Sequence, residues 1–139
     1  MKPKNLDKII SIILLLFWCC LIFYFSNQKG IDSRESSSRL LLFIDNIFKS
    51  NLNNSHIAIF IIRKFAHMFL YFVLFIICCY VTNSYKIKGK NLFCFIFCLL
   101  YAVSDEIHQL FIIERSFGIT DILIDLFGSF LAFLLKITK

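Results

Sequence analysis

Four runs of apolar residues dominate this chain, at 9–25, 62–81, 92–112 and 118–135. Each is long enough to cross ~30 Å of hydrocarbon as a helix, which takes about 17–25 residues. A soluble domain of 139 residues, 59% of them hydrophobic, has too little polar surface to cover four such helices. The mean hydropathy of +0.79 agrees. The expected fold is an all-α integral membrane protein, a single domain over 1–139 with four transmembrane helices. The first run exits through Phe23-Tyr24-Phe25-Ser26-Asn27-Gln28, with no small-x-small cleavage site, so it is expected to stay as a span. Trp18, in the middle of that run, is expected to pack.

Basic residues set the orientation. Lys2, Lys4 and Lys8 precede the first run, Lys86, Lys88 and Lys90 separate the second from the third, and Lys136 and Lys139 follow the fourth. Lys29, Arg34, Arg39, Lys49, Arg63, Lys64 and Arg115 are spread through the long first loop and the helix ends opposite. Basic density close to the run ends puts both termini in the cytoplasm. The net charge of +6 is therefore a property of membrane loops. There is no basic stripe with interleaved aromatics and no Gly-rich phosphate loop, so nucleic acid is not an expected partner. The six cysteines all lie in or beside apolar stretches without a C-x-x-C, which suits small packing residues better than disulfides or soft-metal ligands. Enrichment in Ile, Phe, Lys and Asn points to AT-rich coding and a bacterial cell membrane.

Within the first loop, Leu40, Phe43, Ile44, Ile47 and Phe48 recur at helical spacing, with Arg39, Asp45 and Lys49 between them. The pattern predicts an amphipathic helix over 36–49, started near Asp32-x-x-Glu35 and lying in the outer interface or packed as a plug over the bundle. Residues 51–55 read as a polar turn.

The third run is interrupted by Ser104-Asp105-Glu106-Ile107-His108-Gln109. Ionisable groups at a helix centre cost about 2.5–3.5 kcal/mol each on insertion scales, which makes them candidates for a functional site. With helices of alternating direction rising ~1.5 Å per residue, Arg63, Lys64 and His67, then Asp105 to Gln109, then Asp121 and Asp125 fall in one layer near the outer surface. Their faces agree as well. Lys64, His67 and Tyr71 are spaced i, i+3, i+7, and Tyr101, Asp105 and His108 are spaced i, i+4, i+7, so each set shares a face; Asp121, Asp125, Gly128 and Ala132 form a third stripe. The small residues at 128 and 132 allow a close helix approach. A pocket open to the outer face is expected, basic on one wall and acidic on two, with Tyr71 and Tyr101 hydrogen-bonded into it.

Taken in order, Ser26-x-Gln28, Arg63-Lys64-x-Ala66-His67-x-x-x-Tyr71-x-x-Leu74, Ser104-Asp105-Glu106-x-His108-Gln109, Arg115 and Asp121-x-x-x-Asp125-x-x-Gly128 resemble the VanZ-like membrane proteins, a family named for a teicoplanin-resistance protein. Ala132 departs from the pattern, since the family often has a second glycine there. The resemblance implies four spans and a link to glycopeptide, especially teicoplanin, resistance.

Arg63, Lys64, His67, Tyr71, Asp105, Glu106, His108, Gln109, Arg115, Asp121 and Asp125 are put forward as ligand-binding residues. The basic groups would take phosphate or carboxylate, and the carboxylates and Gln109 would take amide or hydroxyl donors. The expected partners are membrane lipid and a lipid-linked cell-wall precursor or glycopeptide. Several alternatives stand beside this. Arg63 and Lys64 can simply neutralise the carboxylates and hold the bundle together. A membrane hydrolase or transferase would use Asp105 or Glu106 as general base and His108 or His67 as proton carrier, with Arg115 stabilising charge. His67, Asp105, Glu106, His108 and Asp121 are the right types to ligate Zn²⁺ or Mn²⁺, although there is no H-E-x-x-H and no Glu-x-x-His pair. A small proton-coupled transporter would use the acids as a relay. Arg115, beside Glu114 in a short turn, can equally be an interfacial anchor. No cofactor is named by the sequence.

Overall fold

The computed structural model describes residues 3–48 and 56–137, and these form five helices with no strand. They are α1 (Pro3–Ser26), α2 (Gly30–Phe48), α3 (His56–Ser84), α4 (Lys90–Gln109) and α5 (Ile119–Ile137). α1, α3 and α4 are long and apolar enough to cross a membrane. α5 is not among them, because its nineteen residues include Asp121, Asp125 and Lys136.

Side chains are distributed inside-out relative to a soluble bundle. Leu16, Phe17, Phe65, Leu100 and Leu123 are each at least 60% exposed, whereas Glu106, Asp125 and Ser129 are fully buried. Soluble monomers rarely expose apolar surface on this scale. In a bilayer the same arrangement is favourable, with lipid outside and ionisable groups turned inward. The chain is a membrane protein.

α3 is the central helix and packs against each of the others, most extensively against α5. Gly128 sets that closeness. A methyl group there would overlap the carbonyl oxygen of Met68 and stand 2.9 Å from its carbonyl carbon. Ala132, one turn further along, is also buried. Further toward Ser84, the rings of Phe75 and Phe95 meet at 4.7 Å and those of Phe95 and Phe133 at 5.4 Å. Trp18 does more than pack: its indole N–H donates to the Leu70 carbonyl at 2.9 Å and ties α1 to α3. All six cysteines are free thiols, four of them buried.

The boundaries of two elements differ from expectation for tertiary reasons. α2 begins at Gly30, well ahead of residue 36. Its first N–H donates to the Ile113 carbonyl at 3.2 Å, and a Cβ at Gly30 would come within 2.5 Å of the Glu114 oxygen. Contact with the α4–α5 turn thus anchors the helix start, a partner the local sequence does not reveal. Ser33, Ser37 and Leu41 form its buried face, while Leu40, Phe43 and Ile47 are exposed. α4 stops at Gln109, short of 112. The N–H groups of Leu110, Phe111 and Ile112 each donate three residues back, and Glu114 takes a left-handed φ of 61°. The Phe48 side chain, Lys49 and the expected turn at 51–55 lie outside the described residues.

Candidate functional site

The polar groups of α3, α4 and α5 meet at one end of the bundle. Lys64 Nζ pairs with Asp121 Oδ1 across the α3–α5 seam. About one turn deeper, His67 Nδ1 lies 3.7 Å from Asp125 Oδ1. The two rungs follow from the helical spacing of 64 and 67 on α3 and of 121 and 125 on α5, which run in the same direction. On α4, Glu106 Oε2 accepts the Gly118 N–H at 2.8 Å, and Asp105 Oδ2 accepts a hydrogen bond from Gln109 Nε2 at 3.1 Å. Glu106 Oε1, both oxygens of Asp125 and the Tyr71 hydroxyl are buried without a hydrogen-bond partner among the described residues. Buried polar atoms in that state are rare in native proteins, and they concentrate the polarity of the bundle at this layer.

Two expected members point elsewhere. The Tyr101 hydroxyl donates to the Cys19 carbonyl at 2.7 Å and belongs to the α1–α4 contact. The His108 ring packs on Phe23 at 4.7 Å, with its Nε2 3.3 Å from Asn27 Oδ1. Asp105 and His108 share a helix face by spacing, yet α1 rather than the acidic cluster occupies the space in front of His108. Among the described residues no three His, Cys, Asp or Glu side chains gather as a metal-holding group. His67, Asp105, Glu106, His108 and Asp121 are accordingly distributed over separate contacts.

Arg115 forms a clasp. Its Nε donates to the Gln28 carbonyl at 3.1 Å, Nη2 to the Phe25 carbonyl at 3.4 Å, and Nη1 to Gln109 Oε1 at 3.2 Å. Carbonyls at a helix C-terminus have no partner within their own helix, so a cation there satisfies both charge and donor need. Burial, then the nearby positive charge of Arg63, lowers the Arg115 pKa, while Asp105, Glu106 and Asp121 oppose the shift. Arg115→Lys loses the planar fork that reaches three acceptors at once. It is expected to destabilise the protein by about 1.5–3 kcal/mol, read as a lowered Tm in detergent; an unchanged Tm would show that the clasp carries no weight.

Beside this clasp lies a cavity of about 280 Å³ between the end of α1, α2 and the first half of α3. Its polar lining is Gln28, Ser33, Ser36, Ser37, Arg63, His67 and Arg115, and Phe25, Leu40, Ile62 and Leu70 are among its apolar walls. Among the described residues no carboxylate lines it. The single pocket expected from sequence, with one basic and two acidic walls, is therefore divided. The acids lie in the bundle interior, the cavity is basic and apolar, and His67 touches both. Of the residues put forward as ligand-binding, Arg63, His67 and Arg115 line the cavity. Lys64, Tyr71, Asp105, Glu106, His108, Gln109, Asp121 and Asp125 do not. The polar lining residues not put forward from sequence as ligand-binding are Gln28, Ser33, Ser36 and Ser37. Serines at i, i+3 and i+4 from Ser33 were the available signal.

The family model described as VanZ/LLP1 matches residues 11–138, nearly the whole chain. Neither a curated protein nor a solved structure matches it. The match spans every element that carries the Lys64–Asp121 and His67–Asp125 rungs and the Arg115 clasp, and on that ground the chain belongs to the VanZ/LLP1 family.

Proposed function

We propose that this VanZ-like protein holds a cell-envelope component in the cavity beneath α2, at the outer face of a bacterial cell membrane. In this reading α5 is the fourth span, both termini are cytoplasmic, and susceptibility to glycopeptides such as teicoplanin is the phenotype to examine. The observation that carries it is the charge of the cavity: Arg63 and Arg115 line it with His67, and no described carboxylate does. Such a site suits an anionic ligand with an apolar part, as lipid-linked wall precursors have. α2 supports the placement, since its Ser33 and Ser37 face the bundle while Phe43 and Ile47 face outward, where an interfacial helix meets acyl chains.

A second reading has its own observation. His67 turns Nδ1 toward Asp125 and lines the cavity, leaving Nε2 as the nitrogen available to a ligand. A carboxylate-oriented imidazole is the usual general acid–base arrangement, which suits a hydrolase or transferase. Turnover separates the two readings, because a binder leaves its ligand chemically unchanged.

Orientation is tested with single cysteines at Ser38, Lys88 and Thr138 in a cysteine-free background, probed on whole cells with an impermeant thiol reagent. Only the Ser38 position is expected to react. Reaction at Lys88 and Thr138 alone would place the cavity in the cytoplasm and end the envelope reading. His67→Ala and Glu106→Gln are expected to abolish the phenotype at unchanged membrane levels. The first removes a cavity wall, and the second weakens the hold on Gly118 and so on the turn that positions Arg115. Wild-type phenotypes in both variants would remove the site.

A further inference from the structure

The cavity is far larger than a small anion needs, and most of its walls are hydrocarbon. Its polar groups are not scattered: Gln28 and Arg115 come from the end of α1 and the α4–α5 turn, Ser33, Ser36 and Ser37 from α2, and Arg63 and His67 from α3. Arg63 has no ion-pair or hydrogen-bond partner among the described residues, and its guanidinium rests 5.9 Å from the centroid of the Phe60 ring. Lys64, its neighbour in sequence, is already taken by Asp121. Arg63 is therefore a cation held at the cavity wall with its charge uncommitted. Arg115 has spent three of its five donors on Gln28, Phe25 and Gln109, which fixes its plane and leaves the remainder for a ligand.

From these groups we infer that the cavity takes a phosphate-bearing lipid, with the phosphate between Arg63 and Arg115 and an acyl chain along Leu40, Ile62 and Leu70. The inference rests on the envelope-ligand reading and narrows it to one ligand class. A carboxylate has two oxygens with about four acceptor sites, and one bidentate guanidinium takes two of them. Two guanidiniums, an imidazole, an amide and the Ser33 hydroxyl arriving from several elements exceed that, and match the larger oxygen set of a phosphate; the Ser37 hydroxyl is already donated to the Ser33 carbonyl at 2.9 Å. The repulsion between Arg63 and Arg115, which contributes to the lowered pKa of Arg115, is relieved by an anion placed between them. The apolar walls supply the second requirement. Leu40 lines the cavity and is itself 45% exposed, so hydrocarbon can run from the cavity to the lipid-facing side of α2 without meeting a charge.

The test uses the full chain purified in a nonionic detergent, with native mass spectrometry and equilibrium binding to three probes. Phosphatidylglycerol carries both phosphate and chains, diacylglycerol only chains, and inorganic phosphate only the anion. Retention of phosphatidylglycerol alone is expected. Arg63→Gln should weaken it about tenfold or more, the scale of a lost charge-assisted hydrogen bond, and Leu40→Trp should weaken it by filling the chain's path. Size-exclusion profiles of both variants report whether the fold is intact. Diacylglycerol retained equally well would show that the phosphate is not read. Inorganic phosphate bound with the same affinity would identify a free anion as the ligand. Phosphatidylglycerol binding unchanged in both variants would place the lipid elsewhere on the apolar surface. Each of these overturns the inference. Because binding in detergent does not depend on orientation, its failure is distinct from a failure of the cysteine labelling, which bears on the leaflet alone.

Discussion

Gly128→Ala is expected to leave little folded protein in the membrane. The new methyl group would overlap the Met68 carbonyl oxygen and crowd its carbonyl carbon at 2.9 Å and Cα at 3.2 Å. These are backbone atoms of a hydrogen-bonded helix and cannot swing aside as a side chain can. Relief requires α3 and α5 to separate along the seam that carries the Lys64–Asp121 and His67–Asp125 contacts. Overpacking typically costs 1–3 kcal/mol and occasionally more; against backbone the upper end applies, about 3 kcal/mol or more. A domain holds only about 5–15 kcal/mol in total. Gly89→Ala is the internal comparison. That glycine has a left-handed φ of 69° with open space around it, so its substitution costs only backbone strain, roughly 1–2 kcal/mol. The yield of monodisperse protein and its Tm should therefore fall much further for Gly128 than for Gly89. The reverse order would mean that the seam is looser than the geometry states.

Lys64→Met should be the next most damaging change. It strands Asp121, whose side chain is only 20% exposed, without its cation. Breaking a buried pair from one side costs about 3–5 kcal/mol, whereas replacing both partners with apolar residues of similar volume is often neutral or better. Lys64→Met with Asp121→Leu should thus recover most of the Tm lost by Lys64→Met alone. A double variant as unstable as the sum of its parts would show that the two groups act independently.

Much of the fold was legible because lipid makes every polar residue conspicuous. The positions of Lys64, His67, Glu106, Asp121 and Asp125 within apolar runs were enough to anticipate that α3, α4 and α5 bring their charges to one layer. Neutralisation by pairing was among the readings the sequence allowed, and Gly128 with Ala132 announced the close helix seam. What spacing could not supply was the identity of the neighbour. Asp105 and His108 share a face, yet Phe23 and Asn27 of the α1 end receive the imidazole. Arg115 was open between a ligand-binding residue and an anchor in a short turn, and only the packed structure shows it grasping the end of α1. The cavity was misplaced for the same reason. Its serines belong to a helix whose start depends on Ile113, more than eighty residues away in the chain.

The two rungs between α3 and α5 bear on biogenesis. Taken alone, α5 presents two carboxylates and a lysine to the insertion machinery, and it falls short of what α1, α3 and α4 offer. Its first carboxylate is neutralised by Lys64, and its second faces His67. If α5 is the fourth span, it enters the bilayer against a helix already there, after α3 in synthesis and as its client. The order of elements along the chain then becomes an order of assembly, in which the polar face of α3 waits for α5 to complete it.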